Sequence, residues 1–294
     1  MIQMTETTSQ DSIRARLDGD TVRNVLLHAF LYGLAVLMAV PYLYTLSRSF
    51  QPTELLRDPR PYWIPPLAGE PITLEHYQYL LNNTLVVEWT INTFIIAAGA
   101  TLLIVVIDSM IAFSLTRLDW PGQGLVMGVI LASFMVPYYM NIVPLYQIVS
   151  DLGLINTYWG VILPAVASPL GVFLLYQFFK DIPAEYEEAA RLDGFTTFQV
   201  YTRIILPLAK PILSALALFM FVYNWNAFLW PLLVLSNETA YTLPIGLVNL
   251  YQGNIDTPGL HMAVAILGSL PLFIIYLIFQ GQIVRAVQMQ GATG

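Results

Sequence analysis

Six runs of about 20 mostly apolar residues, at 25–46, 93–115, 125–149, 159–179, 212–235 and 262–284, limit what this chain can become. Each is long enough to cross a hydrocarbon layer as a helix, and inside such a layer the backbone must satisfy its own hydrogen bonds. The third and fifth runs are interrupted by proline or asparagine. Such breaks are tolerated where neighbouring helices or a water-filled cavity take up the freed backbone groups. Only 11% of the residues are charged and 57% are hydrophobic, against roughly 25% charged in soluble domains. The expected fold is all-α and polytopic, with six transmembrane helices. The first run is too long for the apolar part of a cleaved signal peptide. Thr45-Leu46-Ser47-Arg48-Ser49 is also a poor cleavage site, so this run is expected to stay as a helix.

The residues that are missing exclude several chemistries. There is no cysteine, hence no disulfide, thiolate metal site or cysteine nucleophile. The histidines are His28, His76 and His261, and no HExxH pair occurs, so no catalytic zinc or other metal site is expected. Lys180 and Lys210 are the only lysines, and neither follows a Gly-rich run of the phosphate-binding kind. The chain therefore lacks a P-loop, and energy for active transport has to come from a partner or an ion gradient. Intramembrane aspartyl proteolysis would need a second aspartate in a Gly-x-Gly-Asp context, which is missing. No catalytic constellation and no nucleic-acid partner are expected. The net charge of −7 comes mostly from acids in loops and tails.

Lysine and arginine placement sets an orientation. Arg14, Arg16 and Arg23 precede the first run, and Arg117 lies between the second and third. Lys180, Arg191, Arg203 and Lys210 lie between the fourth and fifth, and Arg285 follows the sixth. With six spans and an inside N-terminus, all of these fall on the cytoplasmic side. Arg57 and Arg60 fall outside, with Arg48 near the outer boundary. The outer loops at about 150–158 and 236–261 contain neither residue type. Trp and Tyr near the run ends, among them Trp89, Trp120, Tyr158, Trp159 and Trp230, suit headgroup anchors. No internal repeat is visible, which argues against many ion-coupled secondary transporters.

The inside loop at 180–210 carries its own folding instructions. Asp181 can cap a helix, and Pro183 suits its first turn. Glu185, Glu187 and Glu188 stand near the positive end of the helix dipole. Gly194 suits the left-handed residue just past the end. A helix of about ten residues is predicted. Thr196 can then cap a second helix through Phe198, Tyr201 and Ile205 to Pro207. Ala189 and Ala190, beside Tyr186 and Leu192, form a small-residue patch that permits close approach of another surface.

The spacing of Glu188-Ala189-Ala190, Gly194 and Ile204-Ile205-Leu206-Pro207 resembles the loop by which permease subunits of prokaryotic ABC importers engage their ATPase subunits. The likeness covers nearly the whole chain beyond the first 20 residues. It includes Ser49-Phe50-Gln51-Pro52, Tyr62-Trp63-Ile64-Pro65, Ser114-Leu115-Thr116-Arg117, Met135-Val136-Pro137 and Tyr223-Asn224-Trp225-Asn226, in the expected order. The chain resembles the second permease of maltose-type carbohydrate importers. The tail Gly291-Ala292-Thr293-Gly294 lacks the lysine that relatives carry there.

That resemblance implies a five-subunit importer in the cytoplasmic (inner) membrane of a prokaryote. A second, non-identical permease and this chain would form the pore, with both termini of this chain cytoplasmic. Two copies of an ABC ATPase subunit would hold ATP and magnesium, with no cofactor on this chain. An extracytoplasmic binding protein would deliver a sugar, and membrane lipid would surround the helices. The expected parts are a cytoplasmic tail at 1–21 and a six-helix permease domain at 22–285, with an external loop at 50–90 and the coupling loop at 180–210. A C-terminal tail follows at 286–294. The coupling set is Glu185, Tyr186, Glu188, Ala189, Ala190, Asp193, Gly194 and Pro207. Candidates for the substrate pathway are Asp108, Tyr138, Asn141, Asn224, Trp225 and Asn226. Asp108 can line a cavity or pack against another helix. The two asparagines around Trp225 suit sugar recognition or hydrogen bonding between helices. The segment between Pro137 and Pro144 is a distorted stretch or a gate. Alternatives are the same scaffold importing glycerol-3-phosphate or a polyol, and an ion-coupled secondary transporter, for which Asp108 stands alone.

Overall fold

The computed structural model describes residues 3–56, 71–166, 168–252 and 257–291. Arg57, Arg60, the stretch Tyr62-Trp63-Ile64-Pro65 and the last three residues of the tail lie outside the described residues. In chain order the helices are α1 (Gln3–Arg48), α2 (Thr53–Leu56), α3 (Glu75–Asn83), α4 (Val86–Arg117), α5 (Gln123–Ser133), α6 (Ile142–Asp151), α7 (Tyr158–Ile162) and α8 (Pro169–Lys180). They continue with α9 (Glu185–Leu192), α10 (Thr197–Val200), α11 (Leu206–Leu208), α12 (Lys210–Trp225), α13 (Leu229–Val234), α14 (Leu243–Gln252) and α15 (Pro258–Gly291). No strand occurs among the described residues, and the fold is all-α.

Two compact units are distinguished: Met1–Tyr77 with Thr257–Ile266, and Gln78–Asp256 with Leu267–Gly294. In the first, α1 continues the first apolar run in both directions. The turn after it is tied by local polar contacts. Thr73 N–H donates to Phe50 O at 2.8 Å, His76 Nε2 meets Gln51 O at 2.9 Å, and Ser49 Oγ meets Tyr77 OH at 2.6 Å. Gly259 lies against the buried His76 ring, where a Cβ would come within 2.1 Å of Nε2.

The second unit is built around α4. Ala97, Ala100 and Ala112 are buried on it, and small side chains let neighbouring backbones approach. Helix α8 turns Val172, Leu175 and Phe179 inward, and α12 turns Ile212, Leu216 and Met220 inward. Both sets recur at three or four residues, the spacing of one helical face. In lipid such stripes hold by dispersion and close packing rather than by release of water.

Among the described residues, three helices are long and apolar enough to span a membrane: Thr21–Arg48, Val86–Arg117 and Pro258–Gly281. Two bent pairs add to them, Tyr158–Ala165 with Pro169–Lys180 at 44° and Thr197–Leu208 with Lys210–Trp225 at 77°. The third apolar run is divided into α5, a 3-10 turn at Tyr138–Asn141 and α6, and the fifth stops at Trp225 before α13. Both breaks fall where proline or asparagine interrupts the run. The break in the fourth run was not expected. Ser168 caps α8 by accepting from Gly171 N–H at 3.2 Å, and Pro169 opens the helix where a missing N–H costs nothing.

Candidate functional site

The loop between α8 and α12 folds as two short helices, and its sequence signals explain most of it. Glu185, Glu187 and Glu188 occupy the first turn of α9, as the dipole argument requires. Its C-terminal end closes with a Schellman motif: Phe195 N–H donates to Ala190 O and Gly194 N–H to Arg191 O, each at 3.0 Å. Gly194 has φ 80°, the left-handed value its position demands. Thr196 and Gln199 form a reciprocal capping box at the start of α10. The predicted second helix follows, but its middle, Tyr201–Ile205, is π-helical. Pro207 is exposed within α11, just before the 77° bend.

The start of α9 corrects the expectation. Asp181 does not cap it. Asp181 is the C-cap of α8, and α9 begins at Glu185 behind Ala184, giving eight residues. The residue before a proline is disfavoured in helical geometry, so the chain breaks at Ile182-Pro183 and restarts beyond.

The two faces of α9 differ sharply. Glu187 and Ala190 are buried against the rest of the chain. Glu185, Tyr186, Glu188, Ala189, Leu192, Asp193 and Gly194 are exposed. Leu192 is 90% exposed and Tyr186 53%, and Phe198 on α10 is 69% exposed. Apolar side chains clustered beside carboxylates on a short capped helix make a surface fit for a protein partner. The coupling residues thus lie together on α9 and the turn that ends it, exposed except for Ala190, which is buried, while Pro207 lies further along the chain.

The buried face is anchored by a residue outside the predicted set. Arg117, the last residue of α4, has Nε 2.9 Å from Glu187 Oε1, with both side chains about nine-tenths buried. This is a close ion pair rather than an aligned hydrogen bond. Its Nη2 donates to Ile182 O at 2.7 Å and also to Phe179 O. One guanidinium therefore joins the end of α4, the end of α8 and the start of α9. Above it, Tyr201 OH meets Ser109 Oγ at 2.7 Å, and the Tyr201 ring lies 5.1 Å from Phe113. Sequence signals existed for this joint: Arg117 ends a long apolar helix, and Glu187 sits three residues before Ala190 on the same helical face.

The substrate-pathway candidates are dispersed. Asp108 is fully buried in α4, and its Oδ1 accepts from Ser168 N–H at 3.3 Å, at the start of α8. A Cβ on Gly171 would lie 2.1 Å from Asp108 Oδ2, so the carboxyl fills a notch between two helices. Asn224 is buried and donates to Met220 O at 2.8 Å, and exposed Asn226 donates to Val222 O at 2.8 Å. Each amide thus bonds the preceding turn of its own helix. Trp225 is buried and stacks on Phe221 at 5.6 Å. Asn141 is exposed at the end of the 3-10 turn. The side chain of Tyr138 lies outside the described residues. Among the described residues no metal-binding cluster occurs.

Residues 109–289 match the family described as binding-protein-dependent transport system inner membrane component. The chain is 32% identical over 279 residues to the arabinooligosaccharides transport system permease protein AraQ of Bacillus subtilis, covering 93% of this chain and 97% of that protein. It is 32% identical over 273 residues to the trehalose transport system permease protein SugB of Mycobacterium tuberculosis, covering 92% and 96%. Over 278 residues it is 32% identical to the sn-glycerol-3-phosphate transport system permease protein UgpE of Brucella abortus, covering 90% and 96%. Among solved structures, a chain of a bacterial ABC transporter that imports the acidic polysaccharide alginate shares the fold. The TM-score is 0.77 at 20% identity, covering 90% of this chain and 97% of that one.

Proposed function

The chain belongs to the family of binding-protein-dependent transport system inner membrane components, and from that premise we propose that it carries a di- or oligosaccharide through the membrane. It is an integral membrane permease of an ABC importer, a transport component whose ATPase is a separate subunit. In our reading a second, different permease completes the pore, and two ATPase copies hold the ATP and magnesium. A binding protein on the outer side delivers the sugar. The lysine and arginine distribution favours an arrangement with both termini and α9 on the cytoplasmic side.

The observation that carries this reading is the exposed face of α9. It is an apolar and acidic patch, locked at its end by the Gly194 turn and backed by a buried ion pair. A rigid short helix of this kind can pass on a push that a loose loop would absorb. The test is affinity purification of the tagged chain from its native membrane. A P-loop ATPase and a second permease should come with it, and the ATPase should be lost with Gly194→Pro or Glu188→Lys. A chain that comes out alone or as a homo-oligomer overturns the reading. The co-purified binding protein can then be screened against sugars.

The likeness to UgpE favours a second reading, a phosphate-bearing polyol as cargo. A phosphate favours arginine or lysine close by, and no apolar run of this chain carries one in its middle. Direct uptake of labelled oligosaccharide and of labelled glycerol-3-phosphate separates the two.

A further inference from the structure

We propose that Arg117, with Glu187 as its partner, is the joint that passes motion from the coupling helices into the membrane-spanning part of the chain; this rests on the importer reading above. Ser109, Phe113 and Arg117 recur every four residues and so form one stripe on α4. Every member of that stripe meets the coupling loop. Ser109 Oγ is 2.7 Å from Tyr201 OH, Phe113 lies against the Tyr201 ring, and Arg117 pairs with Glu187 at 2.9 Å. The same face of α4 thus receives both short helices, at points two turns apart.

Arg117 and Glu187 do more than fill this corner. Arg117 is shared by the carbonyls of Phe179 and Ile182 and by the Glu187 carboxylate, so α4, α8 and α9 cannot move apart without parting a buried charge from its partner. Glu187 faces inward while Glu188, its neighbour, faces outward. One residue is placed to meet a partner, and the next is placed to pass the load inward. The π-helical Tyr201–Ile205 segment buries Tyr201 and Ile205 and brings Tyr201 onto the same stripe. Such segments mark places where a helix gives up regularity to aim a side chain. Arg117 and Glu187 are positioning residues here: they touch neither sugar nor nucleotide.

The test uses the complete importer in vesicles, with the binding protein and its sugar, and reads three quantities: ATPase subunits retained, ATP hydrolysed and sugar taken up. Glu187→Gln keeps the shape and removes the charge. It should keep the ATPase subunits bound while sugar moved per ATP falls at least tenfold. Arg117→Gln should act alike, and the double variant should be no worse than the worse single one, since both remove the same link. Glu187→Asp should stay within about threefold of the unaltered chain, because it restores the charge. A merely structural role would lower all three quantities together, leaving sugar moved per ATP unchanged. An unchanged sugar-to-ATP ratio in Glu187→Gln sinks the proposal, as does loss of the ATPase subunits, which would make Glu187 an interface residue. If Glu187→Gln and Arg117→Gln fail to reach the membrane, Arg117→Lys carries the test: it keeps the charge but lacks the fork that reaches Glu187 and the Phe179 and Ile182 carbonyls together, so a lowered ratio is expected and an unchanged one is decisive against. Absence of ATPase subunits from the unaltered chain is a separate outcome, and it rejects the importer reading itself.

Discussion

The two ends of α4 are fastened in different ways. Near its start, Trp89, Asn92 and Thr93 share one face and hold the segment after α13 through neutral hydrogen bonds. Trp89 Nε1 donates to Glu238 O at 2.8 Å, and Asn92 Nδ2 donates to Thr239 O and Tyr241 O at 2.8 and 2.9 Å. Leu243 N–H donates to Thr93 Oγ1 at 2.7 Å, and Tyr158 OH donates to Asn92 Oδ1. Gly246 lies directly on the Trp89 ring. At the other end a buried cation gathers a carboxylate and two carbonyls, Phe179 at the end of α8 and Ile182 just past it. The first end is a strap spread over several modest bonds, so losing one leaves the others. The second is concentrated in one residue, and its loss exposes everything that residue had compensated.

Breaking the concentrated end should have the largest effect. Arg117→Ala leaves Glu187 buried without its cation, a loss of about 3–5 kcal/mol. The thermal midpoint of the purified complex should fall clearly, with uptake abolished. A drop no larger than that of a surface substitution would show that the joint is wet and weak. Overfilling the other end comes next. Gly246→Ala brings a Cβ to 2.0 Å from the Trp89 ring, a clash worth about 1–3 kcal/mol if the ring cannot move. Unfolding of the purified variant should show that loss. Asn92→Ala removes both bonds to the segment after α13 and the one accepted from Tyr158 OH, and should cost about 1–3 kcal/mol. Hydrogen exchange should quicken at residues 238–243 and stay unchanged at α9. Faster exchange at α9 would mean that the two ends are not independent. The smallest effect is expected from Gly194→Ala. Nothing lies within 4 Å of a Cβ there, so only the left-handed backbone is strained, by about 1 kcal/mol. Retention of ATPase subunits should fall only modestly, in contrast to Gly194→Pro.

Legibility followed the same division. The α9 region could be read because its instructions are local: acids in the first turn, glycine after the last, and a threonine at the start of the next helix. Asp181 was misread because two helices competed for it, and α8 extended far enough to claim it as a C-cap. The kink before Ser168 was missed because a proline within an apolar run can bend a helix or begin a new one. Asp108 stood out in the sequence as a lone carboxyl, yet only packing shows it wedged against Gly171. The strap joining Trp89 and Asn92 to residues 238–241 left no mark, because its partners are backbone carbonyls, which every residue carries.

What the sequence determined by itself was therefore set by neighbours within one or two helical turns: an all-α membrane chain, a short helix with acids in its first turn and the left-handed turn at Gly194. Those features depend on periodicity, on missing or mobile backbone groups and on dipole ends, all fixed by adjacent residues. Only the tertiary structure decided that Glu187 is buried while Glu188 is exposed, and that Arg117 closes the joint between three helices. Two adjacent glutamates carry the same local signals. What separates them is a single charge brought across the fold, whose position depends on how α4 and α8 pack along their whole length.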